Sequence, residues 1–258
     1  MSLSLRSQIV FITGASSGIG RATAFALAAE GVRLLLCARN AEKLPSESEL
    51  LAAGAEAVHL FAMDVSSRAA IETAVAALPE EWKKVDILVN NAGKARGLAK
   101  IYEDDPDHWD EMIDTNVKGL LHVSRAFIPG MVQRGRGHVV NIGSTAGHWT
   151  YANGAVYCAS KAAERAINEG MKIDLTGTPV RVTTVDPGMV ETNFSAVRFS
   201  GDEEKAAKVY AGLTPLTPED VADAIRYAVT RPTHVNIQTI LMMPTDQGNA
   251  TVFNRRNN

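Results

Sequence analysis

Tyr157 and Lys161 stand four residues apart in a segment of helical periodicity, so both side chains project from one face. A free phenol, with a pKa of about 10, is a poor base near neutrality, but an adjacent ammonium favours the phenolate. Together the two residues make a poised acid/base. Tyr-x-x-x-Lys also arises by chance, as an aromatic packed beside a solvated lysine. Ser144 shifts the balance, because it lies thirteen residues upstream, just past the apolar run Val139 to Ile142. There its hydroxyl can meet a substrate oxygen at the carboxyl edge of a sheet, where ligands bind in open α/β folds.

A second cluster carries a different chemistry. The run Val10 to Thr13 leads into Gly14-Ala15-Ser16-Ser17-Gly18-Ile19-Gly20, after which helical spacing begins at once. Glycines in such a strand-to-helix turn let the backbone approach a pyrophosphate, and the free N–H groups of the helix start attract its charge. The spacing G-x-x-x-G-x-G departs from the G-x-G-x-x-G dinucleotide fingerprint, and a glycine cluster alone can be an ordinary turn. The next apolar run ends in Arg39-Asn40, where dinucleotide folds often carry an acidic residue for the adenosine ribose. A carboxylate would repel a 2′-phosphate and a guanidinium would bind it, which favours NADP over NAD. The competing reading of Arg39 is an exposed arginine at a strand end.

These residues need elements to hold them. Short β-branched runs cover Gln8 to Thr13, Arg33 to Ala38, Ala57 to Met63, Ile87 to Val89, Gly137 to Ile142, Val180 to Val185 and Val235 to Met243. Helix-period segments lie between them, over Gly18 to Glu30, Ala41 to Ala53, Arg68 to Leu78, Pro106 to Arg134, Gly154 to Thr176 and Pro218 to Thr230. Strand and helix in alternation predict an α/β, doubly wound Rossmann fold with a seven-stranded parallel sheet covered on both faces. No linker or repeat interrupts the pattern, so a single domain is expected over residues 1–258. Residues 187–216 lack clear periodicity and read as a substrate loop.

Composition narrows the partners. With 46% hydrophobic residues, 21% charged residues and a net charge of −3, the chain carries no basic excess for nucleic acid. No apolar run approaches membrane-spanning length, and no cleavage signal precedes the glycine motif, which makes the cytoplasm the simplest address. Cys37 and Cys158 have no metal or redox spacing and read as reduced, structural thiols, and no histidine arrangement marks a metal site.

The motifs TGASSGIG, Asp64, NNAG at Asn90 to Gly93, Asn116, Ser144, Tyr157-Cys-Ala-Ser-Lys161 and Pro187-Gly188 resemble the short-chain dehydrogenase/reductase superfamily over nearly the whole chain. The resemblance implies a strand order 3-2-1-4-5-6-7 and a catalytic tetrad of Asn116, Ser144, Tyr157 and Lys161. In oxidation Ser144 would hold the substrate hydroxyl and Tyr157 take its proton. Lys161 would support the phenolate and the nicotinamide ribose, and Asn116 would place a water in the proton relay. It further implies that Gly14, Ser16, Ser17, Gly18, Ile19 and Gly20 meet the cofactor phosphates, with Arg39 and Asn40 at the 2′-phosphate. Asp64 and Val65 would lie near the adenine, Asn91, Ala92 and Gly93 along the dinucleotide, and Pro187, Gly188, Val190 and Thr192 around the carboxamide. The competing reading of Asp64 is the cap of the helix beginning near Arg68. Many NADP-selective members carry a basic residue where this chain has Ser17, which leaves Arg39 most of the discrimination.

Finer stretches narrow the resemblance. MIDTNVKG, NIGSTAG with Trp149 and Tyr151, Val197-Arg198-Phe199, LTPEDVADA and HVNIQTILMMPTDQ are similar to NADP-dependent serine or 3-hydroxy acid dehydrogenases. The implied substrate is the 3-hydroxyl or 3-oxo group of a small hydroxy acid such as serine or allo-threonine, and the implied assembly a homotetramer. A carboxylate calls for a cation, and Arg198 is the candidate, since a guanidinium fork matches it bidentately. A loop arginine paired with Asp202 or Glu203 is the other reading. A general carbonyl or ketoacyl-thioester reductase of the same superfamily is the alternative function. A non-enzymatic nucleotide-sensing module would be marked by loss of a tetrad residue, and all four stand.

Overall fold

Seven aliphatic, β-branched runs form the strands β1 (Ile9–Thr13), β2 (Arg33–Ala38), β3 (Ala57–Ala62), β4 (Ile87–Asn90), β5 (Gly137–Ile142), β6 (Val180–Pro187) and β7 (Thr239–Met242) of the computed structural model, which describes residues 3–199 and 201–256. They pair in parallel in the order β3-β2-β1-β4-β5-β6-β7. All five residues of β1 and all eight of β6 are buried, as the pattern of continuous apolar runs requires of strands covered on both faces.

The helices are α1 (Gly18–Ala28), α2 (Glu47–Ala52), α3 (Arg68–Ala77), α4 (Pro106–Ile113), α5 (Leu120–Arg134), α6 (Ala155–Asp174), α7 (Phe194–Arg198), α8 (Glu203–Tyr210) and α9 (Pro218–Val229). Alternation along the strands divides the core in two. Val10, Ile12, Leu34 and Leu36 pack with Leu27 of α1, Leu50 of α2 and Val221, Ile225 and Val229 of α9. Ile9, Phe11, Leu35 and Cys37 face the other way, onto Ile71 of α3 and Val123, Phe127 and Met131 of α5. Since β1 lies between β2 and β4, the chain reverses direction across the sheet there, and a crevice opens beyond the carboxyl ends of these strands.

Four segments differ from expectation. The helix predicted over 41–53 is interrupted by Pro45: a single tight turn, Ala41–Lys43, precedes α2, which Ser46 and Glu49 start with a reciprocal capping box. The long helix predicted over 106–134 contains a wider π turn at Asp114–Gly119, the segment that holds Asn116. The aperiodic stretch 187–216 contains α7 and α8, too short for periodicity to register. Strand β7 begins at Thr239 rather than near Val235. The Asn236 side chain accepts from Val182 N–H at 2.8 Å and donates to Val182 C=O at 2.9 Å, replacing the ladder there.

Both cysteines are buried free thiols, and burial pushes Cys37 up to about 12, which makes it inert. Among the described residues no helix is long and apolar enough to cross a membrane.

Candidate active site

At the first strand-to-helix turn the glycines are required by contacts. Gly14 has φ +65° and Gly18 φ +52°, left-handed conformations that favour glycine. A Cβ on Gly14 would lie 2.9 Å from Ala92 Cα, and one on Gly20 would lie 2.6 Å from the Gly14 carbonyl oxygen. Gly20 is thus turned inward and serves packing within the turn, whereas Gly14, Ser16, Ser17, Gly18 and Ile19 line the cleft. Ser17 sits in extended conformation at the N-cap of α1 and makes no side-chain cap bond, and the first turn holds no acidic residue. Its amides and dipole are therefore left for an external anion, which is what a pyrophosphate site needs.

The Ala15 N–H bonds the Cys37 carbonyl at 3.1 Å, which ties this turn to the end of β2 and brings exposed Arg39 to the same cleft. Asn40 does not line it, because its side chain accepts from Glu42 N–H at 2.9 Å and caps the following turn. Asp64 and Val65 do. Burial opposes ionisation of Asp64, but two bonds from Ser66 and the charge of Arg39 hold its carboxyl below the usual range. Ser67, rather than Asp64, caps α3.

Asn91 donates to the carbonyls of Thr13 and Gly14 at 2.9 and 3.1 Å, locking the segment Asn91-Ala92-Gly93 against the glycine turn. A Cβ on Gly93 would stand 3.6 Å from both Lys161 Nζ and Asn116 Oδ1, so this segment also meets the tyrosine–lysine helix. Asn116 is buried. Its Nδ2 donates to the Lys94 carbonyl at 2.8 Å and to Ser160 Oγ at 3.0 Å, and its Oδ1 accepts from Lys94 N–H at 2.8 Å. Both amide hydrogens are spent, and the side chain braces Gly93-Lys94 against the residue beside Lys161. A water-positioning role for this side chain has only one lone pair to work with.

Ser144, Tyr157 and Lys161 all border a cleft of about 600 Å³, together with Pro187, Gly188, Val190 and Thr192. Ser144 starts a tight turn, accepting from Ala146 N–H at 3.1 Å. Helix α6 carries Tyr157 and Lys161 on one face, and the Tyr157 ring lies 5.9 Å from that of Phe194 on α7. Arg198, also on α7, places its guanidinium 5.6 Å from the Tyr157 ring centroid and 5.5 Å from that of Tyr151. It donates to the Gly97 carbonyl at 2.9 Å and the Tyr151 hydroxyl at 3.1 Å. The pairing with Asp202 or Glu203 is not formed: Arg198 has no ion pair among the described residues, and Asp202 caps α8 and meets Lys205 at 3.0 Å. A guanidinium beside the candidate acid/base, held only by neutral partners, keeps its full charge for an anion.

Loop 93–97 fixes α7 in turn. Lys94 and Arg96 bond Glu111 of α4 at 2.9 and 2.8 Å, which holds that carboxyl down at about 2, and Arg96 donates to the Val197 carbonyl at 3.0 Å.

Sequence reasoning missed three contributors. Glu164 lies on α6 three residues after Lys161 and bonds it, a spacing legible in advance but common on solvated helices. Asp186 at the end of β6 is buried, accepting from Thr184 Oγ1 and bonding His148 Nε2, both at 2.6 Å. The bond to His148 fastens the turn that begins at Ser144. Gln247 accepts from Met189 N–H at 2.9 Å from far along the chain, with no local signal. Replacing Asp186 by Ala should orphan both partners, cost roughly 1 to 3 kcal/mol of stability and lower turnover with it. Thermal unfolding and initial rates check this.

Known proteins resemble this chain in sequence and in fold. The sequence pattern of the family described as short chain dehydrogenase matches residues 8–203. The NADP-dependent 3-hydroxy acid dehydrogenase YdfG of Salmonella typhi is 47% identical over 241 residues, 93% of this chain and 96% of its own. A sulfoacetaldehyde reductase of Chromohalobacter salexigens is 44% identical over 242 residues, 93% of this chain and 95% of its own. The closed form of serine dehydrogenase complexed with NADP+ superposes with a TM-score of 0.89 at 45% identity, covering 97% of this chain and 100% of that one. With the seven-stranded order, the glycine turn and the Ser144, Tyr157 and Lys161 cleft in one frame, this chain belongs to the short-chain dehydrogenase family.

Proposed function

We propose that this protein is an NADP(H)-dependent oxidoreductase that interconverts the 3-hydroxyl and 3-oxo groups of small hydroxy acids of the serine, allo-threonine or 3-hydroxypropionate type. The observation that carries the substrate class is Arg198, whose charge stands beside Tyr157 with no anionic partner among the described residues. In 3-hydroxy acids and in sulfoacetaldehyde alike, one carbon separates the reacting carbon from an anionic group. A fixed guanidinium next to the acid/base suits that shared shape. A general carbonyl or ketoacyl-thioester reductase would gain nothing from it.

The cofactor reading is supported by the uncapped start of α1 and by Arg39 at the end of β2. When bound, NADP(H) supplies the acceptor or donor of the hydride. In oxidation Ser144 holds the substrate oxygen, Tyr157 takes the hydroxyl proton as C3 gives up its hydride, and Lys161 opposes the phenolate charge. Reduction runs these roles backwards. Asn116 acts by bracing Lys94 and Ser160 rather than by touching substrate.

A homotetramer in the cytoplasm completes the reading. Exposed apolar side chains stand on helices and on the edge strand, among them Leu121, Ile173, Tyr227 and Leu241, and light scattering in solution tests the assembly.

Arg198→Met keeps much of the apolar stem and deletes the charge. Its kcat/KM for hydroxy acids should fall about ten- to a hundred-fold, while uncharged alcohols or aldehydes of similar bulk are spared. Equal decline for acid and neutral substrates would make Arg198 an organiser of α7 and remove the physical argument for a hydroxy acid.

A further inference from the structure

Helix α6 buries one more charge than a tyrosine–lysine pair needs. Glu164 is 3% exposed, and both its carboxylate oxygens lie 2.9 Å from Lys161 Nζ. The Ile142 carbonyl accepts from the same ammonium at 3.0 Å, at the end of the strand that leads to Ser144. Lys161, 5% exposed, is thus fixed from two elements. Two ions at this depth are costly to desolvate, and a carboxylate placed there without a task would be a liability.

We propose that Glu164 is the counter-ion of Lys161, a positioning residue that keeps the lysine an aimed ammonium while Tyr157 cycles between phenol and phenolate. The proposal rests on Lys161 being part of the catalytic machinery. Its surroundings are few. Facing the pair are Tyr157 on the same helix and Asp186 at the end of β6, which is itself bonded to His148 in the turn after β5. Arg165, next on α6, is directed away to the Gly147 carbonyl and Glu169.

Burial alone would push Lys161 down. Glu164 first, then Tyr157 and Asp186, turn that into a rise above the ordinary 10.5. Burial lifts Glu164 up to about 7, with Lys161 pulling against the rise and Asp186 adding to it. Above neutrality Glu164 is therefore ionised and its pairing with Lys161 complete. Alcohol oxidation releases a proton and is favoured at alkaline pH, where an unsupported buried lysine would lose its charge. Glu164 extends the range over which that charge persists.

The test is a titration of the full-length chain labelled with 13C at lysine Cε, without cofactor, the Lys161 signal being identified by its loss in Lys161→Met. In the parent the midpoint of Lys161 should lie above 10.5, and in Glu164→Gln below it. The kcat/KM of oxidation in Glu164→Gln should gain an alkaline limb at that same lower midpoint. Glu164→Asp, which keeps the charge, should stay on the parent's side of 10.5. An unchanged midpoint in the glutamine variant overturns the proposal, and so does lost turnover without a moved pH profile, which marks a merely structural glutamate. If Glu164→Gln does not fold, the aspartate variant decides: a midpoint below 10.5 overturns, one above it supports. Failure of the parent to oxidise any alcohol would strike the reading of Lys161 instead, and the titration would show the two apart.

Discussion

Tyr157→Phe is expected to bind NADP(H) as the parent does and to lose about 10²- to 10⁴-fold in kcat. The ring that packs 5.9 Å from Phe194 and under the Arg198 guanidinium remains, so the cleft keeps its shape. Only the oxygen that exchanges a proton with substrate is lost. The loss should appear in kcat and kcat/KM alike, because the interaction is made in the transition state and not in the ground state. Single-turnover rates and fluorescence titration with NADPH separate the two quantities. Turnover near that of the parent would remove Tyr157 from the chemistry.

The second large effect concerns the cofactor. Arg39→Asp should change the ratio of kcat/KM for NADP to that for NAD by roughly a hundred- to a thousand-fold in favour of NAD. One charge-assisted contact of about 1.5 to 3 kcal/mol disappears and a repulsion toward the 2′-phosphate takes its place. Asp64, whose carboxyl feels the charge of Arg39, adds a second negative charge at the same corner once the guanidinium is gone. The Asn40 amide oxygen is engaged by Glu42 N–H, and the side chain carries no charge to replace that of Arg39. Paired initial rates with both cofactors measure the ratio, and an unchanged ratio would place selectivity in Ser16 or Asn40 instead.

Much of this was legible before any coordinates, and for identifiable reasons. The strands are continuous apolar runs because both faces of a parallel sheet are covered, so their positions could be read with little loss, while their order followed from the family resemblance. Glycine turns are equally legible, since Gly14 and Gly18 hold left-handed backbone that other residues disfavour. Periodicity overran where a helix changes its winding or is cut by proline. Asn116 sits on such a π turn, and no pattern of apolar residues marks a single extra residue in a turn.

What stayed hidden are contacts made across the chain. Nothing in the spacing around His148 announces Asp186, thirty-eight residues on, and nothing near Met189 announces Gln247. Glu164 was visible as a neighbour of Lys161 on one helix face, but the sequence cannot say which face is dry. Arg198 was singled out because an anionic substrate calls for a cation. The structure adds that its partners are the Gly97 carbonyl and the Tyr151 hydroxyl, not a carboxylate.

The central claim is that the cleft couples NADP to a hydroxyl whose carbon stands one carbon away from an anionic group. Its most direct test is kcat/KM with NADP+ for 3-hydroxypropionate and serine against 1-propanol, followed by NADPH absorbance. Both acids should exceed the neutral alcohol by about tenfold or more, the lower bound of one charge-assisted contact. Turnover of the neutral alcohol with none of either acid would contradict the account.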